Sequence, residues 1–191
     1  GHHLVNSIKE YLLNPEIQYD KTSIHKYHQS FTPRDTFEAL GLKNENGENM
    51  PLFSYPWGTF RKNTTKLKDP LRSRFCGPSD ESLIENEFLT TIGLFEDIKE
   101  NGFQLFRKKS LIGGTFLNSK KYGKKFVVLQ GNHRVSALSV LGYKRVLVYT
   151  MNGYHREINE RDLKMLVSKY NPSISLETSL SIFNALLKKS N

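Results

Sequence analysis

The stretch VVLQGNHRVSALSVLGYKRVLVYT, residues 127–150, carries most of the structural information in this chain. It opens on an apolar run, turns through Gln-Gly-Asn-His-Arg, continues as a short amphipathic segment and ends, after Gly142, in a β-branched run. This change of periodicity predicts a strand over 126–129, a helix over 132–141 and a strand over 145–150. The stretch therefore predicts a strand–helix–strand unit with a glycine turn at its first junction.

The turn after the first strand has the composition of an anion site. Gly131 permits a tight turn, and Asn132 is the predicted helix cap, so the first N–H groups of the helix point outward without partners. The positive end of the helix dipole reinforces them. A cation in the first turn costs about 0.3–1 kcal/mol, so His133 and Arg134 indicate a bound anion, to which Ser136 adds a hydroxyl. The alternative is an ordinary capped helix whose basic residues meet carboxylates elsewhere.

The charge of the chain is strongly uneven. The net charge is +9 over 191 residues. Residues 1–100 hold 12 Lys and Arg against 15 Asp and Glu, whereas residues 101–191 hold 16 against 4. The second half should therefore attract anions, such as nucleotides, phosphorylated sugars, nucleic acid or an anionic membrane surface. A solvated basic face without a partner is the other interpretation of the same composition.

The cysteine count, the length of the apolar runs and the spacing of the histidines bear on the compartment, on membrane insertion and on metal binding. The single cysteine, Cys76, excludes an intramolecular disulfide, which fits a reducing compartment. No apolar run approaches about 18 residues, so we predict no transmembrane segment, and no signal-peptide pattern opens the chain. We therefore expect a cytoplasmic protein. Gly1, His2 and His3 look like the remainder of a cleaved tag, and the other histidines have no spacing that predicts a metal site.

Helical signals flank the central stretch. Apolar residues recur at steps of three and four between Ile84 and Ile98, which predicts a helix over 81–101 that is capped by Ser79 or Asp80. The other predicted elements are helices over 4–13, from the cap Thr32 through Pro33 to Gly41, over 159–170 and over 175–189, with a weak strand over 110–117. Together they predict an α+β (α/β mixed) chain with a small mixed sheet.

Two segments resemble the ParB/sulfiredoxin superfamily. The sequence LQGNHRVSALSVLGYKRVLVY, residues 129–149, is similar to its strand, Gly-x-[His/Arg]-Arg turn, helix with Ala and Leu, Gly and short strand. The sequence LFEDIKENGFQ, residues 94–104, resembles the helix before that core. The likeness covers residues 80–150 and is nearest to ParB-like proteins that accompany surface-polysaccharide gene sets, which suggests polysaccharide biosynthesis as a setting.

The resemblance implies a division of the chain into three consecutive parts. Residues 79–150 would form a ParB/sulfiredoxin-like nucleotide-binding core. Residues 1–78 would be an N-terminal helical and irregular extension, and residues 151–191 would be C-terminal helices that pack on the core.

In that superfamily the turn and the helix start hold nucleotide phosphates: ParB proteins bind CTP, free-serine kinases bind adenine nucleotide and sulfiredoxins bind ATP. The resemblance therefore implies phosphate contacts from Gly131, Asn132, His133 and Arg134. Asn132 stands where sulfiredoxins have their catalytic cysteine, and Gln130 stands where the serine kinases have Asp. No helix-turn-helix pattern of the ParB type follows residue 150.

A second group of candidate binding residues precedes the helix predicted over 81–101. Arg72 and Arg74 lie just before Ser79 and a helix start, which predicts a second anion site for the substrate. We assign these three residues and Gln130 to substrate binding. Cys76 lies in the same segment, where it is either a nucleophile activated by Arg74 or a small buried apolar residue.

Carboxylates on the long helix are the candidates for catalysis. Glu87 lies at the edge of the predicted apolar face, where its side chain could enter a cleft, and Asp80 is at the helix start. Phosphoryl transfer needs a base near the acceptor hydroxyl, cations on the phosphates and usually Mg²⁺. The predicted catalytic residues are Glu87, Asp80 and His133. Carboxylates that only complement the helix dipole are the other interpretation.

These observations favour a nucleotide-dependent phosphotransferase, a small-molecule kinase that acts on a hydroxyl-bearing acceptor such as a sugar or sugar phosphate. The expected cofactors are ATP, or another nucleoside triphosphate, and Mg²⁺, and the expected partner is a small anionic substrate. The alternative is a non-catalytic regulatory module of the ParB type that binds nucleotide or nucleic acid. Nucleic acid is the less favoured ligand because no DNA-reading motif is evident.

Overall fold

Seven helices and a four-stranded mixed sheet give the chain an α+β fold in the part that the computed structural model describes, residues 2–58, 75–104 and 111–189. The predicted fold class is confirmed. The helices are α1 (His3–Leu13), α2 (Ser23–Ser30), α3 (Thr36–Leu40), α4 (Glu81–Asn101), α5 (Asn132–Val140), α6 (Leu163–Tyr170) and α7 (Leu176–Lys189), and the strands are β1 (Ile112–Ser119), β2 (Gly123–Gln130), β3 (Val148–Thr150) and β4 (Glu157–Asn159).

The chain divides into two compact units. Among the described residues, the first unit takes in 2–32, 75–104, 111–112 and 130–148, and the second takes in 33–58, 113–129 and 149–189. The predicted segments 1–78 and 79–150 each contribute to both units, whereas 151–191 falls within the second. The division into three consecutive domains stays a prediction.

Three helices build the apolar core of the first unit. Leu4 of α1, Ile24 of α2, and Ile84 and Phe88 of α4 form one buried cluster, against which Ile92 packs. The apolar face predicted for α4 is therefore correct. The helix also ends where expected, because Gly102 follows it with a φ of 72°, a conformation that glycine adopts without strain.

The sheet and the last two helices belong to the second unit, apart from the terminal residue of three of the strands. The strand order is β2–β1–β3, and β4 also pairs with β1, in parallel, with Leu117 opposite Ile158. The connection from β1 to β2 is only three residues long, which requires an antiparallel pair. The buried apolar cluster comprises Phe37, Met50, Trp57, Leu117, Ile158, Leu163, Leu166, Val167, Ile174, Ile182, Phe183 and Leu187.

Two predicted helix caps are wrong. Helix α3 begins at Thr36 because the Asp35 carboxylate accepts a hydrogen bond from the Glu38 N–H at 2.8 Å, which outcompetes the expected start at Thr32. The expected end of this helix at Gly41 is correct. Asn132 is the first residue inside α5, and Gly131 holds the cap position with a φ of 94°.

The lengths of the predicted strands and of α6 also need correction. The strand expected over 145–150 is shorter, because the residues before Val148 are exposed, with Leu147 at 57%. The strand expected over 126–129 extends to Gly123–Gln130 because the hairpin turn is tighter than predicted. Helix α6 begins at Leu163, after a short 3-10 helix over Glu160–Asp162.

Candidate functional site

Helices α4 and α5 bring together two of the predicted catalytic residues. The Nε2 atom of His133 lies 2.7 Å from the Oε1 atom of Glu87. Glu87 is 4% exposed, whereas the His133 side chain is 23% exposed. An ionised carboxylate can only accept a hydrogen bond, so the proton of this contact is assigned to Nε2. In the neutral ring the lone pair then resides on Nδ1.

The local structure explains how both side chains reach this contact. Glu87 is one turn after Ile84 and directly before Phe88, so it lies on the buried side of α4. His133 is in the first turn of α5, near the positive end of the helix dipole. A cation at this end of the helix is unfavourable, and the sequence suggested that a bound anion offsets this cost. For His133 the buried carboxylate of Glu87 can offset it instead. His133 therefore meets a carboxylate of the chain itself, and the bound anion stays a prediction.

The start of α5 has the backbone geometry of the predicted anion site. Gly131 has a φ of 94°, a conformation that side chains other than glycine rarely adopt, so glycine is favoured there. The Arg134 guanidinium folds back over this glycine, with Nη1 3.6 Å from the position that an added Cβ would take. Within the described part of the chain, no hydrogen-bond acceptor meets the N–H groups of Asn132 and His133. Phosphate binding here stays a prediction.

The segment before α4 is fixed firmly onto α2. Gly77 packs so closely that a Cβ would lie 1.7 Å from the His28 carbonyl oxygen. Three hydrogen bonds hold the segment: the Gly77 N–H to the Phe31 carbonyl at 2.8 Å, the Tyr27 hydroxyl to the Phe75 carbonyl at 2.7 Å, and the contact between Ser79 Oγ and His28 Nδ1 at 2.9 Å. Ser79, predicted to bind substrate, therefore contacts a buried histidine.

His28 is the functional candidate that the sequence argument missed. It is fully buried, and its Nε2 atom has no hydrogen-bond partner among the described residues. Burial lowers the pKa of His28, and the nearby charge of Glu87 opposes this effect. The signal in the sequence is the four-residue step from Ile24 to His28, which places both on the face of α2 that packs against α4.

The N-terminal helix adds two more histidines to this region. The His3 ring stacks on Tyr27 with centroids 3.7 Å apart and meets His28 edge-on at 6.2 Å. Burial lowers the pKa of His3 to about 3, and the charges of His2, His28 and His133 act in the same direction. His2 and His3 thus lie close enough to His133, and His28 close enough to Glu87, for their charges to interact, and burial favours the neutral form of all three rings.

The remaining predicted site residues are scattered. Asp80 is exposed at the start of α4, and Gln130 is exposed at the end of β2. Ser136 is buried on α5, away from solvent, and Cys76 is buried as well. Arg72 and Arg74 lie outside the described residues.

Neither a metal cluster nor a membrane helix is found in the described ranges. No group of three or more His, Cys, Asp or Glu side chains is arranged to hold a metal ion there. None of the helices in those ranges has the length and apolar character needed to cross a bilayer.

Comparisons with models of protein families, with curated proteins and with solved structures gave no match. The resemblance to the ParB/sulfiredoxin superfamily therefore stays a prediction.

Proposed function

We propose that the protein is a nucleoside-triphosphate-dependent phosphotransferase that acts on a hydroxyl-bearing acceptor, such as a sugar or sugar phosphate. The observation that supports this most is the 2.7 Å contact between the buried carboxylate of Glu87 and a histidine in the first turn of α5. A histidine that is oriented by a carboxylate is a recurring arrangement of acid–base and nucleophilic sites. Outward N–H groups at the same helix start suit a phosphate.

The geometry favours different roles from those that the sequence suggested. Glu87 is buried, and one of its oxygens is already engaged by His133, so it is poorly placed to reach an acceptor hydroxyl. His133 is more exposed and is the member of the pair that can meet the substrate. Glu87 is then the residue that orients His133 and balances its charge. Arg134 would contribute a guanidinium to the phosphates.

Magnesium would enter with the nucleotide in this proposal. Mg²⁺ is usually held by one or two carboxylates together with substrate phosphates, so it needs no cage of protein ligands. The exposed carboxylate of Asp80 is the residue of the predicted site that could take part. When bound, the ion would neutralise charge on the transferred phosphoryl group.

A non-catalytic nucleotide-binding module is the second candidate. One observation favours it: Glu87 is buried and its Oε1 atom is already engaged by His133, as in a purely structural contact. In a binding module the contact between Glu87 and His133 would only stabilise the start of α5, and nucleotide would be bound without being consumed.

Matched substitutions on α4 separate the two candidates. Glu87→Gln keeps the size of the side chain and an acceptor for His133 but removes the charge. Under the proposed function, nucleotide affinity should persist while turnover falls at least about tenfold, because His133 loses the charge that orients and balances it. Glu85→Gln changes an exposed carboxylate on the same helix and should leave both quantities unchanged.

The assay is a thermal-shift screen with ATP, ADP, CTP and GTP, with and without Mg²⁺, beside a nucleotide-consumption assay that contains a panel of sugars and sugar phosphates as acceptors. Arg134→Ala should weaken the binding of nucleotide itself. Binding without consumption in the wild-type protein would overturn the phosphotransferase in favour of the binding module. Absence of binding would overturn both.

A further inference from the structure

We infer that His133 is the nucleophile of the transfer, and that its Nδ1 atom carries the phosphoryl group as a covalent phosphohistidine. The inference rests on the proposed function and names the chemical role of one residue in it. The contact that supports it is the hydrogen bond from His133 Nε2 to Glu87. Since that bond occupies Nε2, Nδ1 is the ring nitrogen with a lone pair for chemistry.

The position of His133 distinguishes a nucleophile from a general base. A base must touch the oxygen of the acceptor, whereas a nucleophile must touch phosphorus. His133 belongs to the helical turn whose own N–H groups would hold the phosphate. A phosphate on those N–H groups would be bound in the same turn as His133, which favours phosphorus over the acceptor oxygen as the atom that Nδ1 meets.

Burial of the partner carboxylate suits the charged intermediate. A histidine phosphorylated at Nδ1 that keeps its proton on Nε2 has a positively charged ring. Glu87 is 4% exposed and 2.7 Å from that nitrogen, so its negative charge acts on the ring with little screening by water. The carboxylate also fixes the orientation of the ring, so that Nδ1 faces one direction.

Both half-reactions balance. In the first, the Nδ1 lone pair forms a bond to the γ-phosphorus while the bond from that phosphorus to the bridging oxygen breaks. The nucleoside diphosphate leaves with that electron pair, and Nε2 keeps its proton. In the second, the acceptor hydroxyl oxygen attacks phosphorus, the electrons of the N–P bond return to Nδ1, and the hydroxyl proton passes to water. No oxidant or reductant is needed.

The experiment uses the full chain with γ-³²P-labelled ATP, CTP or GTP and Mg²⁺, in the absence of an acceptor. Phosphohistidine withstands alkali and is hydrolysed in acid, so each sample is quenched both ways before the protein is separated and counted. We expect an alkali-stable, acid-labile label that mass spectrometry places on His133. In a separate sample we also expect a nucleoside diphosphate labelled in its base or ribose to exchange into the triphosphate, because the first half-reaction is reversible.

Matched variants test the role of each nitrogen. In His133→Gln the amide can replace Nε2 toward Glu87, but no atom replaces Nδ1, so nucleotide binding should persist while the label is lost. Glu87→Gln should lower the rate of labelling at least about tenfold, since the charge opposite the ring is gone. Glu85→Gln should label as the wild type does.

The outcomes separate this inference from the proposed function. An absence of label and of exchange overturns the phosphohistidine. If nucleotide is still consumed in that case, the phosphotransferase stands and His133 acts as a base. If nucleotide is neither consumed nor bound, the proposed function fails as well.

Discussion

The two units of the chain bury different kinds of side chain. The large cluster of the second unit consists of aliphatic and aromatic residues, with Met50 and Trp57 among them. The first unit buries apolar residues as well, and in addition it buries a carboxylate, Glu87, and a histidine, His28. Burial of an ionisable group costs several kcal/mol unless it is paired. In the described part of the chain, the buried carboxylate and histidine therefore both belong to the first unit, which is the unit that the proposed function uses.

The largest effect is expected in the apolar core of the second unit. Phe183 is fully buried and meets Trp57 edge-on, with ring centroids 5.8 Å apart. Phe183→Ala should lower the free energy of unfolding by about 3–5 kcal/mol. Urea denaturation measures this loss, and nucleotide binding assayed well below the new midpoint should be unchanged. A loss below 1 kcal/mol would contradict the packing described above.

A smaller effect on stability is expected at Gly77 in the first unit. A Cβ there would lie 1.7 Å from the carbonyl oxygen of His28, a backbone atom that cannot rotate away. Gly77→Ala should lower the free energy of unfolding by about 1–3 kcal/mol or more, as overpacking does. Gly93→Ala is the control, since nothing lies within 4 Å of its added Cβ. Equal melting temperatures for the two variants would show that the 75–80 segment does not pack on α2.

A pH dependence should follow from the buried histidines of the first unit. Burial lowers the pKa of His28 below its ordinary value of 6.5 and that of His3 to about 3. Below pH 6.5 the unfolded chain therefore binds more protons than the native chain. The contribution of these two groups to the free energy of unfolding is fully present above pH 6.5 and is lost as the pH falls toward 3. The charged and titratable groups around His28 are His3 on α1, Tyr27 beside it, Glu87 on α4 and the Ser79 hydroxyl.

Urea melts between pH 7.5 and pH 5 measure this slope. In His28→Gln one of the titrating groups is gone, so stability should fall less steeply with acidification. A slope that is as steep as that of the wild type would mean that His28 is already protonated in the native state or is not buried.

The smallest stability effect is expected at the Asp35 cap of α3. Its carboxylate accepts a hydrogen bond from the Glu38 N–H at 2.8 Å. Asp35→Ala should cost about 0.5–2 kcal/mol, whereas Thr32→Ala, at the cap that the sequence favoured, should have no effect on this helix. The reverse order of the two losses in urea denaturation would restore the predicted cap.

Local patterns in the sequence predicted single elements better than contacts between them. The apolar face of α4 follows from steps of three and four, because that periodicity is a property of one helix. The caps at Thr32 and Asn132 were wrong because neighbouring residues, Asp35 and Gly131, compete for the same role. Such competition depends on backbone angles that residue type alone does not settle.

In the candidate site too, the sequence indicated single residues but not the contacts between them. Glu87 and His133 were each singled out, but their contact joins residues 46 positions apart and depends on how α4 packs against α5. His28 was missed because its four-residue step from Ile24 indicates a buried helix face but no chemical role. Its partner, Ser79, lies 51 residues away.

A double-mutant cycle on nucleotide consumption tests the central claim most directly. The four proteins are the wild type, Glu87→Gln, His133→Gln and the double variant, each assayed at saturating nucleotide with Mg²⁺ and a panel of sugar and sugar-phosphate acceptors. If Glu87 acts by orienting His133 and balancing the charge of its ring, the two residues act as one unit. The double variant should then be no slower than His133→Gln alone. Losses that multiply in the double variant would show that the two residues act independently, and a wild-type protein that consumes no nucleotide would contradict the account altogether.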